Sequence, residues 1–290
     1  MKLNCSEKSS FFTTYGKKNS IRIFEVSKKA PNVIFIMTPI GSVHEELAGR
    51  FMNGLVGKTC NVFALDFLGI GRSEGKAKDI SVENIFASTL KLIEFIKENY
   101  NDNIHFYGGT GTGGVIGQAL VSSKEIGKHI KSFIQYGVAI YKDVSIFGND
   151  RMIKTLYPIL KLLNKLSPGS RIKFKIPPYD GVNAEKEKNW YLDVMKEDPK
   201  AFDFKISLFK TLLDLMFSKK SSLKDNINCP VLILAPKHDR YYYPEYVSRY
   251  FNMLNKPKEL YSFDGSHLSF DWKAEELNSK VIQWVDSFSV

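Results

Sequence analysis

A chain of 290 residues, 43% of them hydrophobic, is long enough to bury one large core. No uninterrupted apolar run approaches the roughly 18 residues of a membrane-spanning helix, and residues 1–10 are polar, without the apolar centre of a secretion signal. Cys5, Cys60 and Cys229 are widely spaced, odd in number and without metal-ligand spacing, which argues for reduced thiols, a cytoplasmic setting and no metal centre. The net charge is +10, with small basic clusters such as Lys161, Lys165, Arg171, Lys173 and Lys175. Such a face suits an acidic carrier protein or an anionic lipid surface, or serves only to keep the chain in solution. No nucleic-acid-binding module accompanies it.

Taken in order, residues 11–30 alternate as a β-hairpin whose turn falls on Gly16-Lys17-Lys18-Asn19, and Pro31 ends it. Residues 32–37 form a continuous apolar run rich in β-branched side chains, the pattern of a central parallel strand. A turn at Thr38-Pro39-Ile40-Gly41-Ser42 leads to a helix over 44–55, and residues 61–67 form the next buried strand. Ser81 has the chemistry of a helix N-cap, and Ile85, Phe86, Leu90, Ile93 and Ile96 make the apolar stripe of the helix that follows. Strands over 104–107 and 131–140 flank a further helix opening at Gly113. This alternation predicts a mostly parallel sheet with helices on both faces.

The pattern changes at 141–228, where helices over 152–166, 185–196 and 204–217 are separated by Ser167-Pro168-Gly169 and Pro177-Pro178. We read this segment as an insertion into one domain made of residues 1–140 and 229–290. A buried strand at 231–235, a helix at 246–254, a strand at 258–263 and a helix at 274–288 close the chain.

The turn between strand 104–107 and its helix is dense in glycine and admits three readings. Gly109-Thr110-Gly111-Thr112-Gly113 matches the frame of the G-x-S-x-G nucleophile elbow, with Gly111 in the serine's position. Gly109, Gly111 and Gly114 also satisfy G-x-G-x-x-G, a dinucleotide fingerprint. That motif normally opens the first strand–helix–strand unit and is followed by an acid after the next strand, which is absent at 132–138. The third reading is a tight turn with no chemistry.

Other stretches bear on the choice. Asp66, Gly69, Gly71 and Ser73 fit a D-x-x-G-x-G-x-S turn after an early strand. Asp239 follows a late buried strand, and His267 lies in a glycine-containing loop after the next one. The order elbow, acid, histidine is that of the α/β-hydrolases. Over about residues 33–285 the sequence resembles that superfamily, particularly its lid-bearing esterases, lipases and thioesterases.

The resemblance implies an α/β-hydrolase fold with a helical cap at 141–228 and no metal or organic cofactor. It gives His267 the role of general base and Asp239 that of its orienting acid, and it draws an oxyanion hole from the backbone N–H groups of Ile40 and Thr112. Pro39 has no N–H, but the donor expected is the next residue.

Glycine cannot attack a carbonyl, so three possibilities stand for Gly111. It replaces a serine by design; it marks natural loss, leaving a ligand-binding pseudo-hydrolase; or the His267–Asp239 pair works as a base without covalent catalysis, in lyase or oxygenase chemistry. Thr110 and Thr112 flank the apex and point away from the nucleophile's place. Apolar residues of the cap, among them Leu156, Leu160, Phe209, Leu213 and Met216, imply a lipophilic ester, thioester or acyl chain as ligand. The remaining histidines carry less: His105 reads as a core residue, His44 as a helix cap and His238 as open, while Asp264 is too near His267 in sequence to orient its ring.

Overall fold

The computed structural model describes residues 6–36, 52, 54–109, 111–137, 150–173, 183–197, 203–217, 227–255, 257–270 and 272–289. Its chain begins with an antiparallel hairpin, β1 (Ser6–Thr14) and β2 (Lys17–Glu25). The turn is Tyr15-Gly16, not the 16–19 segment expected from the sequence, and both residues have positive φ, +49° and +75°. A two-residue turn with both φ values positive matches the twist of the paired strands, so Lys17 to Asn19 are drawn into the ladder.

The hairpin is the antiparallel edge of an eight-stranded sheet. The other six strands are β3 (Asn32–Ile36), β4 (Asn61–Leu65), β5 (Ile104–Gly108), β6 (Ser132–Tyr136), β9 (Val231–Pro236) and β10 (Lys258–Phe263). The spatial order is β1-β2-β4-β3-β5-β6-β9-β10, and every pairing from β4 onward is parallel. Both faces are covered because successive side chains of one strand enter opposite cores. Ile34, Phe106, Phe133 and Ile233 pack on one side; Val33, Phe35, Tyr107, Ile134 and Leu232 pack on the other.

The helices are α1 (Val82–Asn99), α2 (Thr112–Val121), the short α3 (Lys124–Gly127), α4 (Asp150–Leu166), α5 (Ala184–Glu197), α6 (Ile206–Phe217), α7 (Pro244–Met253) and α8 (Ala274–Ser287). Ser81 caps α1 by accepting from the Asn84 N–H at 3.2 Å. A two-stranded ribbon unforeseen in the sequence, β7 (Arg171–Lys173) with β8 (Asp203–Lys205), lies between α4 and α6. The β8 strand takes Phe204, so α6 starts at Ile206. Strand β6 is shorter than the expected 131–140: Gly137 turns to φ +55° and ends it. The helix expected over 44–55 lies largely outside the described residues.

Strand order reverses around β3, since β4 lies on one side of it and β5 on the other. In an open parallel sheet, a crevice forms at the carboxyl ends of strands where the order reverses. The turn after β5 therefore opens at the place where such sheets bind ligands.

Candidate active site

Gly109 follows β5 and donates its N–H to the Ile36 carbonyl at 2.9 Å, which holds the start of the turn against β3. Gly111 then adopts φ +61°, ψ −113° and caps α2, its carbonyl accepting the Val115 N–H at 3.1 Å. Only glycine takes this conformation without strain. A Cβ at residue 111 would lie 3.7 Å from His267 Nε2, an ordinary contact.

His267 reaches that point from the loop after β10. The loop is stitched internally by the Ser266 N–H to Ser269 Oγ bond (2.7 Å) and the Ser269 N–H to Ser266 carbonyl bond (3.1 Å). Two backbone bonds tie it to the segment after β9: Lys237 N–H to the Phe263 carbonyl (3.0 Å) and His238 N–H to the Gly265 carbonyl (2.9 Å). The parallel register of β9 and β10 thus brings residues 239 and 267 together although they lie far apart in sequence.

His267 Nδ1 and Asp239 Oδ2 are 2.8 Å apart, with the carboxylate almost wholly buried. A carboxylate only accepts, so Nδ1–H donates and Nε2 is left facing Gly111. The other carboxylate oxygen accepts the N–H groups of Tyr241 (2.8 Å) and Tyr242 (2.9 Å). These bonds offset the cost of burying the charge. Tyr241 and Tyr242 lie tilted beside the imidazole, with centroids 4.6 and 5.5 Å away, while Tyr136 meets it edge-on at 6.3 Å. Gly137 leaves room for the acid: a Cβ there would come within 3.0 Å of Asp239 Oδ2.

Thr112 is the buried first residue of α2, so its N–H belongs to the helix's first turn, whose donors lack intrahelical acceptors. Ile40, the other oxyanion-hole candidate, lies outside the described residues, as do Thr110 and His44. Asp264 does not compete for His267; it pairs with His238 at the surface, at 3.0 Å. Asp66 and Ser73 are spent on their turn. Asp66 accepts the Arg72 N–H (3.0 Å), and the Ser73 hydroxyl bonds the Asp66 carbonyl (2.6 Å) while accepting the Ser20 N–H (2.8 Å). His105 is buried between Ser132 Oγ (2.7 Å) and Asn103 Oδ1 (3.0 Å), and burial pushes it down to about 4. Burial likewise raises the thiols of Cys60 and Cys229 to about 12. Among the described residues, no group of three or more His, Cys, Asp or Glu side chains is placed to hold a metal ion, and no helix is long and apolar enough to cross a membrane.

One residue at the site was missed from the sequence. Glu187 of α5 hydrogen-bonds Ser266 and feels both His267 and Asp239; burial raises its carboxyl above the ordinary range, while Ser266 and His267 pull the other way. Its only sequence signal is phase. It shares a helix face with Trp190, Tyr191 and Val194, which pack into the core, and Trp190 meets Phe270 edge-on at 5.5 Å.

The parallel sheet, the elbow at its reversal point and the His267–Asp239 pair define an α/β-hydrolase. The chain matches the family model described as serine aminopeptidase, S33, over residues 34–267, and belongs to that family. No curated protein sequence matches it. Similar solved structures include the α/β-hydrolase GrgF from Penicillium sp. sh18, with 15% identity, a TM-score of 0.75 and coverage of 98% of this chain and 99% of that one. Monoglyceride lipase from Saccharomyces cerevisiae, solved as a soluble variant with a substrate analog, has 17% identity, a TM-score of 0.73 and coverage of 100% and 98%. The monoacylglycerol lipase of Paleococcus ferrophilus has 22% identity, a TM-score of 0.68 and coverage of 98% and 100%. At these identities the likeness establishes the shared fold.

Proposed function

We propose that this chain carries the binding and proton-transfer machinery of an ester or thioester hydrolase, with Gly111 standing where the nucleophilic serine belongs. The observation that carries this reading is the aim of His267: its Nε2 faces the place that a side chain at residue 111 would occupy. A serine Oγ there would come within reach of Nε2, which takes the nucleophile's proton while Asp239 holds the ring and stabilises the imidazolium. The N–H groups of Thr112 and Ile40 would receive the oxyanion. Residues 141–228 act as the cap, and their apolar side chains favour a lipophilic acyl group. Membership of the sheet fold shared with a monoacylglycerol lipase and a thioesterase domain supports that ligand class.

With glycine at 111 no acyl-enzyme forms. Loss of a triad nucleophile lowers turnover by about six orders of magnitude, with residual catalysis coming from binding and the oxyanion hole. The protein as it stands therefore binds an acyl ester or thioester without turning it over at a hydrolase's rate. A second reading rests on the same geometry: His267 takes a proton directly from water or substrate beside Gly111. It predicts an activity that Gly111 permits and His267→Ala abolishes.

The test restores the nucleophile. The parent and Gly111→Ser are assayed on p-nitrophenyl esters of short, medium and long acyl chains and labelled with a fluorophosphonate. Labelling and turnover by Gly111→Ser alone support the proposal. Failure of both proteins to react overturns it and favours the second reading.

A further inference from the structure

The packed face of α5 carries one residue that packing does not call for. At about 100° per residue, Glu187, Trp190, Tyr191 and Val194 fall within one arc of about 100°, with Glu187 near its centre. Trp190 and Val194 are buried against the core that includes Leu268 and Phe270, just after His267. Glu185 is exposed, about 160° round the helix from Glu187, and already supplies an acid to the first turn. A glutamate in the apolar stripe is costly to bury, and burial holds its carboxyl above the ordinary range. What it gains there is Ser266.

Ser266 precedes His267 in a loop with little internal freedom. A Cβ on Gly265 would lie 2.8 Å from Ser269 Oγ and 2.6 Å from the Phe263 ring, and Ser269 Oγ accepts the Ser266 N–H. Such a loop moves as a unit, so the bonds to its surroundings set where the imidazole points. Tyr136 supplies one, its hydroxyl donating to the Ser266 carbonyl at 3.3 Å, and Asp239 supplies another through His267 Nδ1. Glu187 supplies one from the 141–228 segment. An ionised carboxylate only accepts, so the Ser266 hydroxyl donates to it, which leaves the Ser269 hydroxyl, 3.3 Å away, as the donor to Ser266 Oγ.

We propose that Glu187 is a positioning residue that, through Ser266, fixes the aim of His267 at residue 111. Its functional meaning rests on the reading of His267 as the working base, but its test needs no turnover.

The protein is labelled isotopically at its five histidine rings, and solvent exchange of the His267 Nδ1 proton is followed by NMR at neutral pH; His267→Ala identifies the signal. Glu187→Met, Glu187→Gln, Ser266→Ala and the pair Glu187→Met/Ser266→Ala are compared with the parent. Methionine keeps the length and the apolar packing but accepts only weakly, whereas glutamine still accepts from Ser266. Glu187→Met and Ser266→Ala should each speed exchange about tenfold, as loss of one hydrogen bond to a charged group does. The pair should add nothing to either alone, and glutamine should stay within about threefold of the parent. Urea midpoints separate positioning from general loosening, since Glu187→Met removes a buried charge and should match or exceed the parent. Unchanged exchange in Glu187→Met, additive effects in the pair or no rescue by glutamine overturns the proposal, as does faster exchange that comes only with a matching fall in the urea midpoint. If Gly111→Ser takes no fluorophosphonate while the expected exchange pattern holds, the hydrolase reading has failed and the positioning role has not.

Discussion

Placing alanine at residue 111 should destabilise the protein, although nothing nearby obstructs the added atom. The Cβ would sit 3.7 Å from His267 Nε2, in ordinary van der Waals contact, so no steric term enters. The cost is conformational: φ +61° with ψ −113° is a sparsely populated region for a residue with a side chain, worth about 1–3 kcal/mol. At a site of ordinary backbone geometry the opposite sign holds, since Gly→Ala stabilises by about 0.4–1 kcal/mol through the unfolded chain. Gly111→Ser should lose less than Gly111→Ala, because its hydroxyl can bond Nε2 and recover about 0.5–1.5 kcal/mol. Urea unfolding of the three proteins, compared at constant slope, reads these differences. If Gly111→Ala proves as stable as the parent or more so, the strained elbow is not present in solution. The aim of His267 then loses its meaning.

Three further outcomes follow from the same geometry. In the Gly111→Ser background, Asp239→Asn should lower ester turnover by about four orders of magnitude, because the carboxamide no longer holds the Nδ1–H tautomer; kcat on a p-nitrophenyl ester checks it. Burial raises the Glu187 carboxyl, so its ionisation opposes folding and stability is lost as pH rises through and above the ordinary value of 4.5. Glu187→Gln should accordingly gain stability over the parent at neutral pH and lose that advantage in acid, read from urea midpoints at both; a pH-independent difference would refute it. His105 is held neutral down to about 4, so the stability it contributes is present above 6.5 and lost as pH falls toward 4, a slope that His105→Gln should flatten.

The sheet was legible because its strands advertise burial: the runs at 32–36, 104–108 and 231–236 are buried at every position, and a two-faced parallel sheet needs that. Helix α1 was legible because Ser81 and its apolar stripe agree. Asp239 and His267 were legible by order, since each follows a strand that the fold requires. What escaped depends on contacts rather than on pattern. Tyr15 has no sequence signal for φ +49°, and three-residue strands such as β7 and β8 are too short to show a period. Glu187 lies in a run of alternating lysines and glutamates, where only packing against the loop of Ser266 separates it from Glu185.

The pair of Asp239 and His267 holds the site together whether or not it works on a substrate. Asp239 collects two backbone N–H bonds and one from imidazole, and removing it would leave all three donors in a buried place without that acceptor. Their contact alone is thus weak evidence for chemistry, because a structural ion pair would look the same. The informative feature is the other nitrogen. A purely structural histidine has no need to turn Nε2 toward the apex of a strained turn, where a Cβ at residue 111 would lie 3.7 Å from it. His267 instead brings one nitrogen to a buried acid and the other to the point where a nucleophile at residue 111 would begin.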